Sequence, residues 1–178
     1  MKVITGKVRA NYPNIFVPNR LENQEARYSL TILIPKSDVA TIENIQNAIC
    51  EAKVQLFEKY NEIPDNVKTP LRDGDIEKPD NKAYKNHYFI NATSKFKPGV
   101  VDRYLNKIEN SSEIYSGCYI RASLNFYPYS NQQICGVGCG INNVQKISDG
   151  ELILLSSRPE DDFCVIDSED IVWFYLLI

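Results

Sequence analysis

The chain has 178 residues, 43% of them hydrophobic and 24% charged, the composition of an ordinary globular protein with one full core. No apolar run approaches the roughly 20 residues that span a bilayer, which excludes a transmembrane helix. The formal net charge of −3 argues at first against a polyanionic partner.

The opening "MKVITGKVRANY" lacks the apolar centre of a signal peptide and alternates like a strand. That points to the cytoplasm and predicts a first strand from Lys2 to Ala10. An irregular stretch with two prolines, "NYPNIFVPNR", follows. In "ARYSLTILIPK", Tyr28, Leu30, Ile32 and Ile34 alternate with Arg27, Ser29, Thr31 and Leu33, a second strand closed by Pro35. Ser37 then offers an N-cap, and Val39, Ile42, Ile45, Ile49, Ala52, Leu56 and Tyr60 recur at helical spacing, predicting a helix from Asp38 to Tyr60.

Residues 61–86 are rich in Pro, Asp, Asn and Lys and read as a long loop. "HYFINATSKFK" predicts the next strand, ended by Pro98-Gly99, and a polar connection around "LNKIENSSE" follows. In "CYIRASLNFYPY", Cys118, Ile120, Ala122, Leu124 and Phe126 share one face. Tyr119, Arg121, Ser123, Asn125, Tyr127 and Tyr129 share the other. After turn-like residues 130–133, "ICGVGCGINNVQKI" completes a hairpin, with Gly136, Gly138 and Gly140 on one face leaving room for a ligand or a close backbone. Five strands and one principal helix predict a mainly β (α+β) fold. The count fits a five-stranded, partly open barrel of the oligonucleotide-binding (OB) type with long inserted loops, with a sandwich capped by a helix across one end as the alternative.

Charge is unevenly spread. Residues 159–178 hold six acidic side chains and no Lys or Arg, so the body, 1–158, sets all 20 basic side chains against 17 acidic ones. A basic body with an acidic, aromatic tail restores a polyanion as a partner; the tail reads equally as a segment that docks on partners and as one whose apolar end, Ile171–Ile178, packs on the body as a final strand. The five cysteines are odd in number and read as reduced, packed thiols; Cys135 and Cys139 have no second pair to complete a zinc site.

Single-stranded nucleic acid is held by cations that track phosphates and rings that stack on bases. Tyr119, Arg121, Asn125 and Tyr127 supply both on one strand face. Arg9, Arg27, Lys95 and Lys97 add cations on other strands, and Tyr12 adds a ring. A competing reading is a metal-dependent nuclease using Asp73, Asp75 and Glu77 in "LRDGDIEKPD", although the spacing lacks the glycine and terminal glutamate of a full calcium loop. A third is an adaptor that works through its tail alone.

Several stretches, in order, resemble the phage single-stranded-DNA-binding proteins, a family formerly described as a domain of unknown function. They are "RANYPNIFVP", "YSLTILIPKSD", "KTPLRDGDIEKPDNKAYKNHYFINATSKFKPGVVD", "EIYSGCYIRASLNFYPY", "CGINNVQKISDGE" and "SRPEDDF". The resemblance implies an oligonucleotide-binding fold and sequence-independent binding of single-stranded DNA in phage replication or recombination. It implies no catalysis, no cofactor and no metal. Phage or host replication proteins are the partners expected for the acidic tail, and a homodimer is one possible assembly. After Phe163 the chain departs from the family pattern: it ends "IVWFYLLI", where family tails are acidic and polar.

Overall fold

A computed structural model describes residues 1–20, 25–60, 67–130 and 135–153. The predicted turn at 130–133, except Ser130, and the tail at 159–178 lie outside the described residues. In chain order the strands are β1 (Lys2–Ile4), β2 (Val8–Asn19), β3 (Arg27–Pro35), β4 (Arg72–Asp73), β5 (His87–Ser94), β6 (Gly99–Val101), β7 (Tyr119–Ser130) and β8 (Cys135–Ser148). The helix α1 (Val39–Tyr60) separates β3 from β4, and the short helix α2 (Gly74–Glu77) follows β4.

Alternation along the strands closes a ring. β2, β3, β5, β8 and β7 pair in that order, and β7 returns to β2. All these pairings are antiparallel except β5–β8, a single parallel pair of Thr93 with Gly140. This is the predicted five-stranded, partly open barrel. β1 shares the edge of β7 with β2, β6 extends β8, and β4 extends β5. Ile120, Ala122, Leu124 and Phe126 of β7 point inward with Leu30, Ile32 and Ile34 of β3. Fully burying one such side chain contributes roughly 1.5–3 kcal/mol.

The first predicted strand, Lys2 to Ala10, is two strands, and the stretch expected to be irregular is the greater part of β2. Tyr12 takes a φ of 48°, and the pairing with β3 slips between Asn11 and Asn14. That bulge changes the phase of the strand, so Val8, Ala10 and Ile15 all reach the core although their numbers differ in parity. Both prolines, Pro13 and Pro18, fall where the ladder is already broken.

The helix runs as predicted, with a different cap. The Asp38 carboxylate, not Ser37, accepts the Thr41 N–H at 3.1 Å. Ile42, Ile45, Ala48, Ile49, Ala52 and Leu56 are buried as the spacing requires, whereas Val39 is exposed. This face packs across β1, β7 and β8.

From residue 67 onward, the expected loop is built rather than structureless. Lys36 Nζ lies 2.8 Å from Asp73 and 2.7 Å from Asp75, and the Asp73 carboxylate also accepts the Asp75 N–H at 2.9 Å. Tyr84, in a 3-10 turn (Lys82–Tyr84), packs with Leu33, Phe89 and Ile153 in a second small core on the outside of the barrel. Cys118, Cys135 and Cys139 are buried free thiols, with burial pushing the Cys139 thiol up to about 12; Cys50 is exposed on α1.

Candidate nucleic-acid interface

The outer faces of β2, β3 and β5 form a polar floor. Thr31 donates its hydroxyl to Asn91 at 2.9 Å, and Asn14 Nδ2 donates to Ser29 Oγ at 3.3 Å. Ser29 pairs in register with Thr93, so small hydroxyls continue across the two strands.

Cations gather at one end of this floor. Arg27 and Lys95 approach the Glu25 carboxylate, at 3.6 and 2.8 Å, and the bond from Lys95 holds that carboxyl below its usual range. Lys97 Nζ stands 5.8 Å from the centre of the Phe16 ring. Between the two lysines, Phe96 projects into solvent, 83% exposed, on a turn closed by its N–H to Ser94 Oγ at 3.1 Å. Phe96 is not among the residues that alternation singles out, although "SKFKPG" carries the signal: a ring between two cations at a Pro-Gly break. At the other end Arg72 lies 4.6 Å over the Phe89 ring, and Tyr84 meets Phe89 edge-on at 5.1 Å.

The glycine stripe of β8 continues the floor past the seam. Gly138 and Gly140 pair with Tyr127 and Asn125. A Cβ at Gly138 would come within 2.7 Å of the Tyr127 ring, so the space expected for a ligand is partly filled by that ring. At Gly140 a Cβ would lie 3.6 Å from the Tyr127 ring and 3.8 Å from the Thr93 carbonyl. The stripe is therefore a shallow trough between Tyr127 and β5. At its far end the backbone of Lys68 covers Gly136.

The remaining β7 residues are already engaged. Tyr119 is covered by Lys7 Nζ at 4.2 Å and flanked by Arg9 at 5.7 Å. Arg9 donates to the carbonyls of Gly117, at 3.3 Å, and Glu151, at 2.6 Å, so its fork holds the segment that leaves β8. Gly117, with a φ of 116° and no Cβ, admits that segment. Arg121 Nε donates to the Thr5 carbonyl at 3.2 Å, and Asn125 Oδ1 accepts from the N-terminal amine at 3.2 Å. The structure thus divides the residues read from sequence. Arg27, Lys95, Lys97 and Tyr127 border the floor, with Tyr12 in the β2 bulge beside it. Arg9, Tyr119, Arg121 and Asn125 turn toward the N-terminal strand and the segment after β8.

The carboxylates of the nuclease reading are tied to cations. Lys36 occupies the space between Asp73 and Asp75 that a divalent ion would need, and Arg72 Nε donates to Glu77 at 2.7 Å. Hydrogen bonds from Lys36 and then from the Asn86 N–H hold the Asp75 carboxyl below the usual range, and Arg72 does the same for Glu77. These are structural links that pin the segment from β4 to β5.

The family model described as "Enterobacter phage Enc34, ssDNA-binding protein" matches residues 1–172. Protein p50 of Acyrthosiphon pisum secondary endosymbiont phage 1 is 31% identical, over 97% of this chain and 99% of its own. The structure of the single-stranded DNA-binding protein from bacteriophage Enc34 in complex with ssDNA superposes with a TM-score of 0.77 at 23% identity, covering 86% of this chain and 89% of that one. The single-stranded DNA-binding protein gp2.5 of bacteriophage T7 superposes with a TM-score of 0.65 at 17% identity, covering 88% and 97%. By the extent of the family match and the identity to p50, the chain belongs to the Enterobacter phage Enc34 ssDNA-binding protein family.

Proposed function

We propose that the chain coats single-stranded DNA without sequence preference, through the outer face of β2, β3 and β5 and the glycine trough leading to Tyr127. The observation that carries this reading is the continuity of that face. Cations and a projecting ring stand at one end, small hydroxyls and amides form the floor, and a side-chain-free stripe ends at a half-exposed tyrosine. It lies on the strands that barrels of this type use for oligonucleotides. Arg27, Lys95 and Lys97 track phosphates, and Phe96, Tyr12 and Tyr127 stack bases. Arg9, Tyr119, Arg121 and Asn125, engaged by the N-terminal segment and the segment after β8, stand outside this path and brace the wall that carries it.

The role is one of protection during phage replication or recombination in the bacterial cytoplasm, and it is not catalytic. The body, 1–158, carries the DNA, and the acidic segment 159–178 meets replication partners. Among the described residues no helix is long and apolar enough to cross a membrane.

The test compares binding of a labelled oligothymidine, a duplex and an RNA at two salt concentrations. Single-stranded DNA should bind tightest, with affinity falling as salt rises. For single strands each phosphate contact adds about 0.7 to the slope of log K against log salt, so replacing Arg27, Lys95 and Lys97 together by Ala should lower it by about 2. An unchanged slope would place the DNA elsewhere.

A further inference from the structure

On the far side of the barrel, the outer face formed by β1, β7, β8 and β6 carries a hollow of about 190 Å³ that the DNA-binding reading leaves unused. Ile4, Leu105 and Val144 line it, with Arg121, Ser123, Asn143 and Gln145 as polar members and no carboxylate. Ser123 Oγ is buried without a hydrogen-bond partner among the described residues.

The loop beside the hollow is rigidly made. The Asp102 carboxylate accepts the N–H groups of Tyr104 and Asn106, both at 2.8 Å, and Asn106 Nδ2 at 2.9 Å. That turn holds Leu105 at a φ of 70°, a left-handed conformation that any residue with a Cβ adopts at a cost, and leaves it 72% exposed. Ile4, on the opposite rim, is 52% exposed. A strained backbone that presents a leucine to water beside an apolar hollow has the form of a docking site.

We propose that its occupant is the chain's own apolar C-terminal end, Ile171–Ile178. Eight consecutive apolar residues are not left in water without a partner surface, and a hollow of this size accepts one large side chain from them. The segment before them carries six acidic residues, while Arg121 lines the hollow and exposed Lys2 and Arg103 stand two residues along the chain from its rim members Ile4 and Leu105. Charge complementarity thus favours the tail over a second copy of the same face, which would set cations against cations. Reach is sufficient: the 18 steps from Ile153 to Ile171 span roughly 60 Å when extended, more than the width of a domain of this size. Docked there, the acidic stretch lies along β7 and away from the floor of β2, β3 and β5.

Trp173 is the chain's sole tryptophan and reports on the docked end directly. In the full-length protein its emission should be blue-shifted and protected from acrylamide. Leu105→Glu and Ile4→Glu alter side chains that are largely in solvent, and each should shift the emission to the red and raise quenching several-fold. Unchanged single-stranded DNA affinity in both variants shows that they fold. A wild-type Trp173 as quenchable as free tryptophan overturns the proposal. So does a protected Trp173 that ignores both substitutions and is released by DNA, because the tail then sits in the DNA groove.

Discussion

Gly140→Val isolates the trough from the rest of the interface. A Cβ at Gly140 meets the Asn125 carbonyl at 3.5 Å, the Tyr127 ring at 3.6 Å and the Thr93 carbonyl at 3.8 Å, all ordinary van der Waals distances. Glycine inside a strand is destabilising by roughly 0.5–1 kcal/mol relative to alanine, and a β-branched residue suits a strand, so the variant should be at least as stable as the parent. Its two methyls fill the passage from Tyr127 to β5. If one base stacks on Tyr127, losing that contact costs roughly 1–3 kcal/mol. The affinity for single-stranded DNA should then fall about 5- to 150-fold. Fluorescence anisotropy with a labelled oligothymidine measures the loss, and urea unfolding measures stability. Tyr127→Ala should weaken binding by a similar amount, and the double variant should be little worse than either, since both remove one contact. A stable Gly140→Val protein that binds like the parent would refute the trough.

Phe96→Ala removes a side chain that contributes almost nothing to the core, so stability should hold while affinity drops by a stacking contribution of roughly 1–3 kcal/mol; equal affinity in the same anisotropy assay would exclude Phe96 from the interface. Glu25→Gln should strengthen DNA binding and steepen its salt dependence, because the Glu25 carboxylate competes with phosphate for Lys95 and Arg27. Acid should loosen the segment from Arg72 to Asn86. The carboxyls of Asp75 and Glu77 are held below their ordinary range, so their contribution is full above the unfolded value of about 4 and is lost as pH falls through the folded values. Protection factors for these amides should therefore fall below about pH 4. Lys36→Met should weaken that dependence by removing the larger cause at Asp75, and an unaltered pH profile would contradict the assignment.

What could be read in advance was local. The two faces of β7 follow from residue alternation, and α1 from its apolar spacing; both depend only on neighbours along the chain. β2 was hidden because two prolines argue against a strand, and only the pairing with β3 shows that the bulge at Tyr12 accommodates them. The segment after residue 66 was hidden because Lys36, more than 30 residues earlier, supplies the charge that organises it. The candidate interface was legible in composition but not in arrangement, for the same reason. The aromatic and basic composition of β7 was plain, but the N-terminal strand claims Asn125 and Arg121 through contacts more than 100 residues apart in sequence. Closure of the ring, in turn, sets Tyr127 beside β5.

The seam between β5 and β8 is one residue pair wide, Thr93 against Gly140, whereas β7 and β8 share twelve. A ring fastened so narrowly at one place opens there at the least cost. The trough crosses that fastening, so a DNA strand bound along it as proposed, from Tyr127 to Thr93, would act as a clasp over it. On that reading occupancy and closure of the barrel would be one equilibrium, the bound nucleic acid serving as a missing length of sheet edge that holds shut the wall on which it rests.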